Sequence, residues 1–448
     1  MEAGLEAAAS FWGRGDSPHT LGDVERVWEE RAVKLRHVSL ILVLMWVMTA
    51  HAARAQQPAP QRLTIANALD LAERQNLDLI AARARRAVAQ AGVRIAGERP
   101  NPTLSFGATR DTPHESALID QPIEIGPKRG RRIEVARQES ALTETDISIL
   151  EKQLRREVRN AYFGLAHARG ATAQQAEALK LAERLHDIAK ARFEAGDIPQ
   201  LEVTQAELET ARAQANLQVA QQEEKVALSD LNALLNEPAA TAWDLGDAFG
   251  TIAPPPSLDE LLARAAKSNP ESARISQQEK VEQSRKALLE AQRIPNLGLQ
   301  FGADLNSPGG PGLNTGGFEA GARGTLSMEL PIFSHNQGEI AHSIANERAL
   351  EGELAAARRA ADAKVESAYF DLEARQTQVR VYRETILPSS QRLEEMAEES
   401  YRAGKANILT VLGTQRDVQQ AKRDYLDSLV AMQSAFAQLE EAVGAPLE

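Results

Sequence analysis

The spacing of apolar residues changes several times along the chain, and each change marks a predicted element. Helical periodicity covers residues 63–75 and 77–98, and a turn signal at Pro100-Asn101 ends the second helix. Strand-like alternation follows, and then a helical pattern without Pro extends from about residue 128 to residue 195. At 1.5 Å per residue, a helix of about 68 residues would be roughly 100 Å long. The pattern therefore predicts long rods joined to a short sheet.

The same series of elements is written twice. The word AYFGL at residues 161–165 returns as AYFDL at residues 368–372, and the Gly turn at residues 192–197 returns at residues 400–405. A Pro-rich linker separates a first repeat, residues 62–250, from a second, residues 257–446. Two long copies differ from the many short repeats of a solenoid, so we expect a pseudo-twofold protomer. The second copy repeats the helical patterns at residues 258–267, 270–292 and 336–403, the last interrupted only by Pro388.

After each Gly turn the chain returns in a helix of about 35 residues whose apolar positions keep a seven-residue spacing. These positions are Ala206, Ala213, Ala220, Ala227 and Leu234 in the first copy, and Val411, Val418, Tyr425, Met432 and Leu439 in the second. A strict seven-residue period predicts a left-handed coiled coil, and the Ala positions allow close helix approach. An ordinary soluble coiled coil would have the same pattern.

The strands distinguish a soluble rod from a membrane duct. Residues 297–305 and 318–330 alternate apolar and polar side chains, as outer membrane barrel strands do, and a Gly- and Pro-rich loop joins them. The polar positions expected to line a barrel lumen are Gln300, Asp304, Glu319, Arg323 and Glu329. A half-buried soluble sheet would alternate in the same way. The first copy has a regular strand at residues 104–109 and a less regular one at residues 117–125.

Four strands per chain cannot close a barrel, and lipid tolerates no open strand edge. Eight strands from two chains would fill the bore with side chains, whereas twelve strands from three chains leave an aqueous passage. If the protein is a duct, it is therefore a homotrimer. The fold class that we expect is mainly α with a transmembrane β part.

The N-terminal segment resembles a secretory signal peptide. Lys34 and Arg36 precede an apolar run at residues 38–49, which is too short to span a bilayer, and small residues between Ala52 and Ala55 offer a cleavage site. We assign residues 1–55 to leader and signal peptide. The acidic leader before the basic region is unusual, and translation starting near Val33 would account for it. Without Cys at the cleavage site, the mature protein is not expected to be lipidated.

Composition narrows the function further. The formal net charge of -12 opposes nucleic-acid binding, and the absence of Cys excludes zinc ribbons and disulfides. No motif of a phosphate-binding loop, zinc protease or nucleophile elbow is present, so we expect neither an enzyme nor a cofactor. We interpret His335 and His342, seven residues apart near a helix start, as a surface pair and expect no metal site.

Together these features resemble the TolC-type outer membrane factors. The resemblance covers about residues 63–446, including the Asn101-Pro102-x-Leu104 entry to the first strand and the Phe193-x-x-Gly196 and Tyr401-x-x-Gly404 turns. The stretch QPIEIGPKR at residues 121–129 resembles the cobalt-zinc-cadmium efflux branch. The family implies a trimeric twelve-stranded barrel on a helical periplasmic barrel. It also implies a periplasmic adaptor and an inner membrane pump of the resistance-nodulation-division type as partners.

The resemblance also suggests positions for sites. The adaptor-docking tips match Phe193, Gly196, Tyr401 and Gly404, each an exposed aromatic beside a Gly turn. Some family members carry two acidic gate residues after the second turn. Thr410 and Gly413 occupy those positions here, and Glu202 is the corresponding position of the first copy.

A basic cluster, Lys128, Arg129, Arg131 and Arg132, marks the strand-to-helix junction of the first copy. Cations are unfavourable at a helix N-terminus, so outer membrane lipid head groups or pairing with Glu124 and Glu134 must offset them. The function that we expect is a passive outer membrane duct of a tripartite efflux system, exporting heavy-metal cations. A multidrug or type I secretion duct is the first alternative, and a secreted coiled-coil scaffold is the second.

Overall fold

The computed structural model describes residues 61–109, 115–246, 249–250, 252, 254–306 and 319–447, without the side chains of residues 305, 306, 319 and 320. The predicted leader and signal peptide lie outside the described residues. The chain divides into residues 1–61 and 62–448, and the account below concerns the second unit.

The elements of the two halves follow the same order. The first half contains β1 (Gln61–Arg62), α1 (Ile65–Gln75), α2 (Leu77–Ala96), β2 (Thr103–Ala108), β3 (Glu115–Ile123), α3 (Lys128–Glu194), α4 (Gln200–Leu235) and β4 (Trp243–Asp244). The second half contains α5 (Leu258–Ser268), α6 (Pro270–Ala291), β5 (Leu297–Asn306), β6 (Glu319–Met328), α7 (Gln337–Val381), α8 (Leu387–Arg402) and α9 (Ile408–Val443).

Equivalent residues end equivalent helices in the two halves. The Asn76 and Asn269 side chains cap α2 and α6, accepting from the backbone N–H of Leu79 and Ser272 at 3.0 Å each. Each return helix ends at a left-handed residue, Asn236 after α4 and Gly444 after α9. The local signals for these ends are therefore repeated along with the elements.

The long helix of the second half is interrupted, unlike α3. A π-helical turn, Tyr382–Ile386, separates α7 from α8. Pro388 accounts for its position, because Pro lacks an N–H and its ring would clash with the carbonyl four residues earlier, that of Glu384. The run predicted for residues 336–403 is therefore two helices joined by a wider turn.

The strands β2, β3, β5 and β6 form one antiparallel sheet in that order. In the register, Leu104 lies opposite Ile119, Ile119 opposite Phe301, and Phe301 opposite Gly324. Because side chains alternate between faces, these residues share one face of the sheet. The two outer strands, β2 and β6, each have one edge that is unpaired within the described chain.

The apolar core is divided along the rod. One cluster joins α1 to the middle of α3 and the end of α4, and a second joins α5 to α7 and α9. A third, smaller cluster lies near the hairpin turns, where Leu181 and Leu185 of α3 pack against Tyr401, Val411 and Leu412. The helices α3 and α9 also pack against each other, which joins the two halves.

Candidate functional site

The two hairpin turns lie at the ends of α3 and α8. Gly196 and Gly404 have positive φ angles of 82° and 72°, and their backbone N–H groups donate to the carbonyls of Phe193 and Tyr401 at 2.9 and 3.0 Å. Phe193 is 41% exposed and available for a partner. Tyr401 is 0% exposed, so the expectation of an exposed aromatic is wrong for the second turn.

Tyr401 is buried because the two hairpins pack together at their turns. Its ring belongs to the cluster that includes Leu185 and Ile408. The guanidinium of Arg192, one residue before Phe193, lies over the ring at 5.0 Å from its centroid. Burial raises the pKa of the Tyr401 phenol, and the nearby charge of Glu202 raises it further. The sequence analysis did not single out Arg192, although it directly precedes the aromatic of the first turn.

Of the three gate positions, only Glu202 faces the buried tip. Glu202 Oε2 and the Tyr401 hydroxyl are both buried without a hydrogen-bond partner among the described residues. Thr410 instead serves the local backbone, because its N–H and hydroxyl both donate to Asn407 Oδ1, which caps α9. Gly413 has open space around the position of a Cβ atom. The structure thus places a carboxylate at the first-copy position and none at the second-copy positions.

The sheet carries apolar side chains on one face and polar ones on the other. The apolar face includes Phe106, Phe301 and Leu326, which are 77%, 58% and 66% exposed. A face with such large exposed aromatic and aliphatic groups needs a covering in water. On the opposite face Gln300 lies between Asp120 and Thr325 in the register.

The polar face carries charges of both signs. Arg323 Nη1 lies 3.6 Å from Asp304 Oδ1, an ion pair beyond hydrogen-bond distance. The backbone of Glu319 pairs with Asn306, but the Glu319 side chain is outside the described atoms. Glu329 follows the last residue of β6 and is exposed. Gln300, Asp304 and Arg323 therefore share the face that the alternation predicts.

The basic junction is bonded mainly to the protein itself. Lys128 is buried and donates a hydrogen bond to Asn296 Oδ1, and burial lowers the pKa of its ammonium group. Arg129 Nε donates to the Gly97 carbonyl at 2.6 Å, and Arg132 Nε donates to the Ala96 carbonyl at 2.8 Å. These carbonyls lie at the negative C-terminal end of α2, which favours cations.

Arg132 also pairs with a carboxylate at the junction. Its Nη1 lies 2.6 Å from Glu124 Oε1, and this hydrogen bond, with the charges of Lys128 and Arg129, holds the pKa of Glu124 below its usual value. Arg131 is exposed and makes no side-chain hydrogen bond or ion pair with a described residue. Internal bonds thus account for three of the four cations, and a contact with lipid is open only to Arg131.

No group of three or more His, Asp and Glu side chains in the described part of the chain could hold a metal ion. Nor does any described helix have the length and apolar character needed to cross a bilayer. His335 and His342 are both exposed.

A protein-family profile described as "Outer membrane efflux protein" matches residues 68–237 and 261–445, one segment in each half of the chain. Among curated proteins, the cobalt-zinc-cadmium resistance protein CzcC of Cupriavidus metallidurans is 26% identical over 387 residues, covering 85% of this chain and 90% of the relative. The nickel-cobalt-cadmium resistance protein NccC of Alcaligenes xylosoxydans xylosoxydans is 25% identical over 343 residues, covering 75% of both.

Solved structures share the fold at lower identity. The channel protein CusC superposes with a TM-score of 0.69 at 18% identity, covering 88% of this chain and 96% of its own. The outer membrane protein VceC from Vibrio cholerae superposes with a TM-score of 0.68 at 16% identity, covering 86% of this chain and 97% of its own.

Proposed function

The chain belongs to the outer membrane efflux protein family, and from this premise we propose that it is one protomer of a trimeric duct that exports heavy-metal cations. Membership places the protein in the outer membrane, among channels rather than enzymes. In the proposal, a periplasmic adaptor and an inner membrane pump of the resistance-nodulation-division type deliver the solute. The duct itself is passive.

The observation that carries the proposal is the two-faced sheet with unpaired edges. Its apolar face exposes Phe106, Phe301 and Leu326, which suits a lipid covering, and its polar face carries Gln300, Asp304 and Arg323. Strand edges must be paired in lipid, so β6 of one copy pairs with β2 of the next. Three copies give twelve strands around a polar lumen. A secreted scaffold would leave the exposed apolar face unexplained.

Metal cations are the proposed solute because the two curated relatives are described as cobalt-zinc-cadmium and nickel-cobalt-cadmium resistance proteins. A passive duct needs no metal-binding cluster of its own, since a solute that is held tightly does not leave. A multidrug or type I secretion duct is the alternative, and the same lumen would serve it. The choice between them rests on the pump and adaptor.

The hairpin turns are the proposed docking tips for the adaptor. Phe193 offers an exposed aromatic at the first turn, and Gly196 and Gly404 shape the two turns. Tyr401 contributes by holding the tips together rather than by contact. The proposed periplasmic gate uses Glu202, which would form a ring of three carboxylates in the trimer, whereas Thr410 and Gly413 supply no charge.

The test is complementation of a Gram-negative strain that lacks its own metal-efflux duct but retains the pump and adaptor. Expression of this chain should restore tolerance to Zn²⁺, Co²⁺ and Cd²⁺ and lower the metal content of the cells. A matched strain lacking a multidrug duct should not regain drug tolerance. Restored drug tolerance without metal tolerance would replace the proposed solute by the alternative one.

A further inference from the structure

The short helices α2 and α6 occupy equivalent places in the two halves. Each begins after a capping Asn whose side-chain amide reaches the end of the return helix of its own half. Asn76 Nδ2 donates to the Leu234 carbonyl at 3.1 Å, and Asn269 Nδ2 donates to the Ala442 carbonyl at 3.0 Å. Residues equally far from these two caps are therefore structurally equivalent.

The two helices differ in how much of their surface is covered. Helix α6 packs on α7 of its own half and also on α3 of the other half. On the α7 side, Lys286 Nζ lies 2.6 Å from Glu347 Oε2, and on the α3 side Gln277 Nε2 donates to Gln138 Oε1 at 2.9 Å. Helix α2 packs on α3 of its own half, but makes no comparable contact with α7. One side of α2 thus lacks the partner that α6 has.

The uncovered side of α2 is apolar at the positions that α6 buries. Val281 of α6 is 7% exposed, whereas its equivalent, Val88 of α2, is 72% exposed. Ile80 and Ile95, which lie on the same side of α2 as Val88, are 45% and 64% exposed. Gly92, between them, has open space around a Cβ position. This stripe has the spacing of a helix-packing face.

Helix α7 has an uncovered face opposite the one that receives α6. Ser343 and Glu347 point toward α6, where Ser343 Oγ donates to Glu282 Oε1 at 2.6 Å. The opposite face is exposed and consists of small residues at helical spacing, namely Ala345, Ala349, Gly352, Ala356, Ala360 and Ala363. Small residues let a second helix approach closely, and the bulky stripe of α2 complements them in shape.

We propose that the Ile80–Val88–Ile95 stripe of one copy packs on the Ala345–Ala349–Gly352 face of α7 in a neighbouring copy. This contact repeats between chains the packing that α6 makes on α3 within the chain. Each α7 then lies between α6 of its own chain and α2 of the next, as α3 lies between α2 and α6. The inference rests on the proposed trimer and adds the residues that join its helical part.

Disulfide cross-linking tests the contact, because the chain has no Cys of its own. Two double variants, Val88→Cys with Ala345→Cys and Val88→Cys with Ala349→Cys, cover two adjacent turns of α7. A disulfide needs Cβ atoms about 3.5–4.5 Å apart, so only packed positions react efficiently. Mild oxidation of the full-length protein in detergent should give covalent trimers on a non-reducing gel, because each copy carries one Cys on each side.

Two control pairs define the background. Gln90→Cys with Ala345→Cys places the thiol on α2 away from the stripe, and this pair should stay monomeric on the gel. Gln277→Cys with Gln138→Cys joins α6 to α3, and this pair should close within one chain. The native mass of each variant is measured in parallel. Assemblies with the mass of three chains in which neither Val88 pair cross-links would overturn the inference and leave the duct intact. Single-chain mass would instead contradict the proposed function.

Discussion

Arg192 of the first hairpin lies over the ring of Tyr401 in the second, with its guanidinium carbon 5.0 Å from the ring centroid. Its Nη1 also donates a hydrogen bond to the Tyr401 carbonyl at 3.2 Å. The two hairpin turns of one chain are therefore joined to each other. A change in one turn is expected to reach the other through this contact and through the buried cluster around Leu185.

Removing the Tyr401 ring should separate the two turns. Large aromatic-to-Ala changes in a core cost about 3–5 kcal/mol, so we expect Tyr401→Ala to raise hydrogen exchange and proteolysis at both tips and to reduce export. Tyr401→Phe keeps the ring and removes a hydroxyl that has no hydrogen-bond partner among the described residues. This variant should match the wild type. Equal damage by both variants would mean that the hydroxyl, and not the ring, supports the tips.

The turn glycines should be needed for docking but not for assembly. Gly196 and Gly404 have positive φ, and a Cβ atom would find open space or only a flexible Arg192 group nearby. Gly196→Val or Gly404→Val should therefore strain the turn locally, by about 1–2 kcal/mol, and impair export while the trimer remains. Trimer content and metal tolerance are measured together. Loss of the trimer in either variant would assign these turns to folding alone.

Gly444 is the matched control for these two glycines. It has a similar positive φ of 78°, but a Cβ atom there would overlap the Ser268 carbonyl. Gly444→Val should therefore reduce the amount of folded protein in the membrane, in contrast to the turn variants. Equal yields for all three variants would contradict this distinction.

The Glu124–Arg132 pair should stabilise the junction in a pH-dependent way. Because the folded-state pKa of Glu124 is lowered, its contribution is present above its usual value of 4.5 and is lost as the pH falls through the folded value. Glu124→Gln should lower stability at neutral pH by about 1 kcal/mol, the size expected of a partly exposed ion pair. Thermal unfolding of wild type and variant should converge in acid. A constant difference across the pH range would exclude this pair as its cause.

Among the junction cations, only Arg131 should depend on lipid charge. Arg131→Gln is expected to weaken insertion into vesicles containing anionic lipid by the equivalent of about 1 kcal/mol, and to have little effect in neutral lipid. Arg132→Gln breaks bonds to Glu124 and to the end of α2, so its effect should be the same in both lipids. Insertion yields for the two variants in the two vesicle types decide this. Lipid-independent behaviour of Arg131→Gln would leave the whole cluster structural.

The sequence predicted the elements closely because their signals are local and occur twice. The Asn caps, the Gly turns and the strand alternation each depend on a few neighbouring residues, and the observed helices begin or end within two residues of most predicted bounds. The π-helical turn before Pro388 is a partial exception. The Pro indicated a break, but the wider turn depends on how α8 and α9 pack below it.

The sites were less predictable because side-chain partners come from distant parts of the chain. Tyr401 matches the exposed Phe193 by position in the turn, yet it is buried because the hairpins meet there. Lys128 and Arg132 looked like a surface charge run, but their partners include Asn296 and the end of α2. Neither fact follows from spacing along the sequence.

Electron microscopy of the purified protein in lipid nanodiscs tests the central claim most directly. The account predicts threefold-symmetric particles in which a twelve-stranded barrel crosses the disc and a helical rod of roughly 100 Å extends from one side. Single chains released from the disc, or particles in which the sheet of each chain stays open, would contradict the trimeric duct.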